Sequence, residues 1–198
     1  MTTLKIPLSP QRTELSRRGF MKLISLSGLT VLSPTSVLAS IKVLTPTTRP
    51  LFLYNPHSKE SFAGIYRHNG EYDPHARAKI NHLMRDTRTG EVKEIDTQLL
   101  DLLSALASKL KAEKPFHVIS GYRNPKSNAQ LRKQGWKAAK NSYHLKGQAA
   151  DIRLPGCRTS VLRKAAYQIK KGGVGYYPRL RFVHIDVGPV RFWNGNKS

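Results

Sequence analysis

A chain of 198 residues has room for one domain and a short leader, and it carries a formal net charge of +22 from 34 basic and 12 acidic residues. With a single cysteine, Cys157, a disulfide framework and a cysteine-built zinc site are both excluded, so any metal must be held by His, Asp or Glu. The charge favours polyanionic partners such as nucleic acid, anionic lipid or an acidic cell-wall polymer, without choosing among them.

The first forty residues read as an address. Arg17-Arg18-Gly19-Phe20-Met21-Lys22 precedes an apolar stretch that closes on Val37-Leu38-Ala39. A basic region, an apolar region and a small-residue cleavage point make a cleavable export signal, and the paired arginines are of the twin-arginine type. The apolar stretch is broken by Ser25, Ser27, Gly28, Ser33, Pro34 and Ser36 and falls short of the roughly 20 apolar residues of a membrane span, so no stable anchor is expected. Residues 1–39 are read as a signal handled by the twin-arginine machinery, 40–50 as an extended linker and 51–198 as the folded domain, located in the periplasm.

In the domain, Leu51–Tyr54 and Glu60–Tyr66 are strand-like around the turn Asn55-Pro56-His57-Ser58. Asp73 can cap a helix that opens on Pro74 and carries Ile80, Leu83 and Met84 on its apolar face. Asp96 or Thr97 caps the next, in which Leu99, Leu102, Leu103, Leu106 and Leu110 recur at helical spacing. After Pro115 comes a strand over Phe116–Ser120, then a short basic helix over Ser127–Gln134. Gln148–Leu154 is strand-like, a helix capped by Thr159 or Ser160 follows, and Val174–Tyr177 and Phe182–Val187 are late strands. Helices early and strands late predict an α+β fold, a small antiparallel sheet with flanking helices.

Two segments carry metal-binding residue types. In Ser142-Tyr143-His144-Leu145-Lys146-Gly147-Gln148-Ala149-Ala150-Asp151, strand alternation puts Asp151 on one face with Ala149, and a bend at Gly147 can bring His144 over it. In Phe182-Val183-His184-Ile185-Asp186, the apolar residues alternate and His184 and Asp186 share the other face. Polar groups on so apolar a strand cost free energy unless they are bonded or hold a metal. Two imidazoles and a carboxylate, plus a water, form the ligand pattern of a catalytic zinc ion, which lowers the pKa of its water to about 7. At the end of the Phe116–Ser120 strand, Ser120-Gly121-Tyr122-Arg123 can project a guanidinium toward a carboxylate or an oxyanion. Cys157 lies in a turn with no histidine near it in sequence and is not read as a nucleophile.

These motifs, together with Gly173-Val174-Gly175-Tyr176-Tyr177-Pro178, resemble the zinc D-alanyl-D-alanine peptidase family that includes the VanX-like dipeptidases. The resemblance implies the small α+β fold shared with lysostaphin-type peptidases and the hedgehog signalling domain. It implies one zinc ion on His144, Asp151 and His184, substrate binding by Arg123 with Tyr122 beside it, and a supporting hydrogen bond from Ser142. The implied substrate is the cross-linking stem peptide of peptidoglycan, cut at D-alanyl–diaminopimelate or diaminopimelate–diaminopimelate bonds. Many relatives place an acid or histidine two or three residues before the last ligand. Here those positions are Phe182 and Arg181, so Asp186 is the candidate base, with orientation of His184 as its alternative role. Arg132, Lys133, Lys137, Lys140 and Lys146 flank these motifs and are expected to draw in an anionic wall. A non-catalytic zinc module that binds peptidoglycan is the alternative function. Nucleic acid is not expected as a partner, because the export signal and the lack of a recognised nucleic-acid motif argue against it.

Overall fold

The computed structural model describes residues 48–136 and 138–195. The expected signal, most of the expected linker and Lys137 lie outside the described residues.

The chain opens with a hairpin, β1 (Thr48–Tyr54) against β2 (Ser61–His68). β1 begins inside the stretch expected as a linker. Leu51 and Leu53 point into the core while Phe52 is exposed, the alternation of a half-buried strand. Asn55 fixes the turn: its side-chain oxygen accepts from the N–H groups of His57 and Ser58, and its amide donates to the Leu83 carbonyl. The two-residue strand β3 (Glu71–Tyr72) leads into α1 (Pro74–Leu83), whose first turn is capped by the Asp73 carboxylate. Asp96 caps α2 (Thr97–Lys109) in the same way, and Leu99, Leu100, Leu102, Leu103 and Leu106 are all buried.

β4 (Phe116–Ser120) leads into α3 (Pro125–Lys133). α3 starts two residues earlier than expected, because Asn124 caps it and Pro125 suits its first position. A single 3-10 turn, Tyr143–Lys146, precedes β5 (Ala149–Arg153). Then come α4 (Thr159–Ile169), β6 (Gly173–Tyr177), β7 (Phe182–Asp186) and a short β8 (Arg191–Asn194).

The strands form one sheet in the order β3-β2-β1-β4-β5-β7-β6-β8. The fold is α+β as expected, but the sheet is mixed rather than wholly antiparallel: β1 pairs with β4, and β6 with β8, in parallel. The cause is connectivity. The chain between β1 and β4 passes through β2, α1 and α2, and β7 intervenes between β6 and β8, so each pair is joined by a crossover rather than a tight turn. Ala150, Ile152, Val183 and Ile185 join the leucines of α2 and Leu162, Ala165 and Ala166 of α4 in one core. Asp151 and His184 occupy the alternate positions of β5 and β7 and therefore face away from that core. Among the described residues no helix is long and apolar enough to cross a membrane.

Candidate active site

Antiparallel pairing of β5 with β7 sets Asp151 directly opposite His184. Their side chains meet, with His184 Nδ1 2.9 Å from Asp151 Oδ1. His144 arrives from the 3-10 turn. The Ser142 hydroxyl accepts the His144 backbone N–H at 3.3 Å, the supporting contact expected of it. Gly147 closes the turn at φ 69°, with the Glu94 carbonyl packed where a side chain would begin, so the bend anticipated there needs glycine. His144 Nε2 lies 3.2 Å from His184 Nδ1 and 3.4 Å from Asp151 Oδ1. The three side chains expected as ligands therefore converge, and all three are buried.

The far side of each ring decides which atoms face the centre. His144 Nδ1 is 2.6 Å from the Gly121 carbonyl, which can only accept, so Nδ1 carries the proton and Nε2 presents a lone pair. His184 Nε2 is 3.0 Å from Asp186 Oδ2, so it donates there and Nδ1 presents a lone pair. Two nitrogen lone pairs and a carboxylate oxygen then point at one another across about 3 Å, which is repulsive unless a cation sits between them. A ring nitrogen bonded outward to a carbonyl or carboxylate is the support that metal-ligating histidines use. The donor set fits a zinc-type ion. The electrostatics agree with it. Burial pushes the His144 pKa down, which keeps the ring neutral. For Asp151 burial opposes ionisation, but the two imidazoles outweigh it and hold the carboxyl well below its usual range. Burial also opposes charge on His184, yet its bonds to Asp151 and Asp186 raise its pKa when no metal competes.

Arg123 stands beside this centre. Its Nη2 donates to the Ser120 hydroxyl at 3.2 Å and lies 3.7 Å from Asp151 Oδ2, and its Nη1 donates to Asn128 Oδ1 at 3.3 Å. Its backbone N–H donates to the His144 carbonyl, which ties the two motifs together. The segment is also held from behind. The buried Asp86 carboxylate accepts from the N–H groups of Arg88, Thr89 and Asn124, and Glu91 accepts from the Asn124 amide. Tyr122 belongs to that support rather than to a substrate site, a correction to the expectation. It is 4% exposed, its hydroxyl donates to Glu91 at 2.6 Å, and its ring lies in the core.

Asp186 also has a different place from the one expected of a base. Its side chain is fully buried behind His184. Oδ1 accepts from Gly173 N at 3.1 Å, Gly188 N at 2.9 Å and Arg191 Nη1 at 3.0 Å, while Oδ2 accepts from Arg191 Nη2 at 2.6 Å and from His184. Both oxygens are engaged, and the His184 ring stands between them and the atoms that face the centre. The contacts of Asp186 are those of a group that orients His184, the alternative role weighed for it.

The centre opens onto a cleft of about 1000 Å³. Asp151 is its only carboxylate among the described residues, whereas Arg88, Arg123, Arg153 and Arg191 all line it. The basic residues expected to flank the site, Arg132, Lys133, Lys140 and Lys146, do not line the cleft. Sequence reasoning also missed Trp136, Tyr177 and Trp193 on the cleft wall. Tyr177 had a legible signal: in β6 it shares a face with Gly173 and Gly175, and pairing of Gly175 with His184 makes that the face of the candidate ligands.

A mixed sheet with a buried His–Asp–His set at the base of a cationic cleft fits a hydrolase able to hold a metal ion. The chain belongs to the peptidase M15 family: the profile described as "Peptidoglycan L,D-endopeptidase MepK" matches residues 43–193, and the chain is a peptidase. It is 43% identical over 175 residues to the peptidoglycan L,D-endopeptidase MepK of Escherichia coli K12, covering 87% of this chain and 95% of that protein. It is 37% identical over 178 residues to a probable peptidoglycan L,D-endopeptidase MepK of Haemophilus influenzae, covering 88% of this chain and 95% of that protein. No solved structure matches the chain significantly.

Proposed function

We propose that this peptidase is a zinc-dependent endopeptidase of the periplasm that hydrolyses peptide cross-links in peptidoglycan. The observation that carries the reading is the convergence of His144 Nε2, Asp151 Oδ1 and His184 Nδ1, each imidazole fixed in the metal-binding tautomer by an acceptor behind it. When bound there, zinc supplies Lewis acidity and an acidified water. The protein's own groups set the rest. Arg123 puts a fixed positive charge beside the ligands, where a carbonyl oxygen gains negative charge during attack. A cleft lined by arginines, with Asp151 as its one carboxylate among the described residues, suits a peptide rich in carboxylates, as peptidoglycan stems are. The relatives are named L,D-endopeptidases, which favours the diaminopimelate–diaminopimelate bond over the D-alanyl–diaminopimelate bond, since the latter joins two D centres. The twin-arginine pattern within residues 1–39 supports delivery to the periplasm.

Digestion of defined cross-linked muropeptides, read by mass spectrometry, tests this. The diaminopimelate–diaminopimelate dimer should be split, chelation should stop cleavage, and zinc should restore it. His144→Ala, Asp151→Ala and His184→Ala should each lose both bound zinc and cleavage. Full cleavage by any of these three variants contradicts the assignment. Cell fractionation should find the processed chain in the periplasm.

A further inference from the structure

The β6–β7 hairpin carries a group that the metal, Arg123 and the ligand supports leave unused. Tyr177 lies on the ligand face, on the wall of the cleft. Its ring cannot swing. It stacks on Phe182 across the strand pair, with centroids 4.5 Å apart and planes 21° from parallel. Its edge packs against Gly195, where a side chain would collide with it. The hydroxyl is aimed by Trp193, whose indole Nε1 is 3.0 Å from Tyr177 Oη. An indole N–H only donates, so the phenol oxygen is the acceptor and its own hydrogen remains to be given elsewhere. No acceptor among the described residues receives it. Trp193 is in turn fixed: it lies over Gly175, whose missing side chain would meet the indole at 2.5 Å, and it borders the His184 ring at 5.2 Å. One aromatic layer therefore supports a candidate metal ligand at one end and aims a phenol O–H at the other. Asp151 and Arg123 line the same cleft as Tyr177.

We infer that Tyr177 is a catalytic hydrogen-bond donor, its O–H directed at the substrate oxygen that becomes negative when the amide carbon turns tetrahedral. It acts from the ligand face of β6 and complements Arg123. The phenol keeps its proton throughout: the bond it gives strengthens as charge gathers on the oxygen and weakens when the amine departs. Trp193 is the positioning residue that turns the O–H toward the cleft. The inference rests on the proposed metallopeptidase reading of the same cleft.

Tyr177→Phe in the full chain, loaded with zinc, is the direct test. The ring and its stacking on Phe182 remain, so folding is expected to be retained. On a cross-linked muropeptide, kcat should fall roughly 100-fold, the size typical of losing one oxyanion donor, while KM stays within about twofold. A phosphinate isostere of the scissile peptide, whose tetrahedral anion mimics the attacked carbonyl, should bind the variant more weakly by a similar factor in calorimetry. Zinc content and Tm should match the wild type. Unchanged kcat and unchanged phosphinate affinity would overturn the donor role. Loss of zinc or a lowered Tm in the variant, accounting for the lost rate, would overturn it too by making Tyr177 a scaffold residue. Failure of the underlying reading looks different: the wild-type chain itself would keep cutting after chelation, and the donor role would fall with it.

Discussion

Asp186→Asn separates the two roles considered for this carboxylate. The substitution keeps size and removes charge, and the structure shows why neither amide orientation fits. An NH2 in place of Oδ1 faces the donors on Gly173, Gly188 and Arg191. An NH2 in place of Oδ2 faces Arg191 Nη2 and His184 Nε2–H. The second conflict is partly relieved if His184 moves its proton to Nδ1 and accepts from the amide through Nε2. That relief puts the proton on the atom aimed at the metal. Loss of such an outer partner lowers metal affinity about 10–100-fold, or roughly 1.4–2.7 kcal/mol. Removing one partner of a buried charge pair costs about 3–5 kcal/mol, but the Arg191 side chain is 40% exposed and water replaces part of the lost bond, so about 2 kcal/mol is expected here. For a domain of this size that lowers Tm by about 4–8 °C. Competition with a chromophoric chelator measures the zinc affinity, and thermal melting of the metal-free protein measures the stability. A variant that binds zinc as tightly as the wild type yet has lost turnover would refute the orienting role and return Asp186 to the chemistry.

Two further substitutions test the support behind Arg123. Tyr122→Phe removes the hydroxyl bonded to Glu91 and should destabilise the protein by about 1 kcal/mol with KM unchanged, since the ring faces the core; a raised KM would restore a substrate-binding role. For Asp86, burial favours the neutral acid, but bonds from Asn124, Arg88, Ser127 and Thr89 outweigh it and depress the pKa. A depressed carboxyl stabilises the fold fully above its unfolded value of about 3.9 and loses that contribution as pH falls through the folded value. Asp86→Asn should therefore cost about 2 kcal/mol in urea denaturation at pH 7, and the gap to the wild type should close progressively below about pH 4; a gap independent of pH would show that the ionised carboxylate is not what holds the loop.

The candidate metal ligands were legible because each is written in a local pattern. Alternation in Val183-His184-Ile185 fixes the face of His184, and Gly147 flags the bend that returns His144. The same alternation put Asp186 on the ligand face but could not say how deep it lies. Depth depends on Gly173 N–H from β6 and on Gly188 N–H and Arg191 from the chain just after β7, two segments that the fold closes around the carboxylate. Tyr122 was misread for a related reason. Its neighbour Arg123 is the one that reaches the centre, and only the long-range partner Glu91 reveals that the tyrosine belongs to the opposite side. The parallel pairs of the sheet were hidden as well, because strand polarity is set by crossovers and not by the pattern within any strand.

The glycines of β6 make the sharpest case of information present in the sequence but unreadable there. Gly173 and Gly175 sit on the ligand face at positions where parallel pairing with β8 brings Arg191 and Trp193 alongside. Those large side chains lie over the glycines, and from there Arg191 grips Asp186 while Trp193 reaches the Tyr177 hydroxyl. The glycine spacing announces that something must cover the strand. What covers it comes from a four-residue strand after Pro189, too short to declare itself by periodicity. The orientation of His184 and the aim of Tyr177 thus depend on one edge strand, so the tail of the domain builds the site rather than trailing from it.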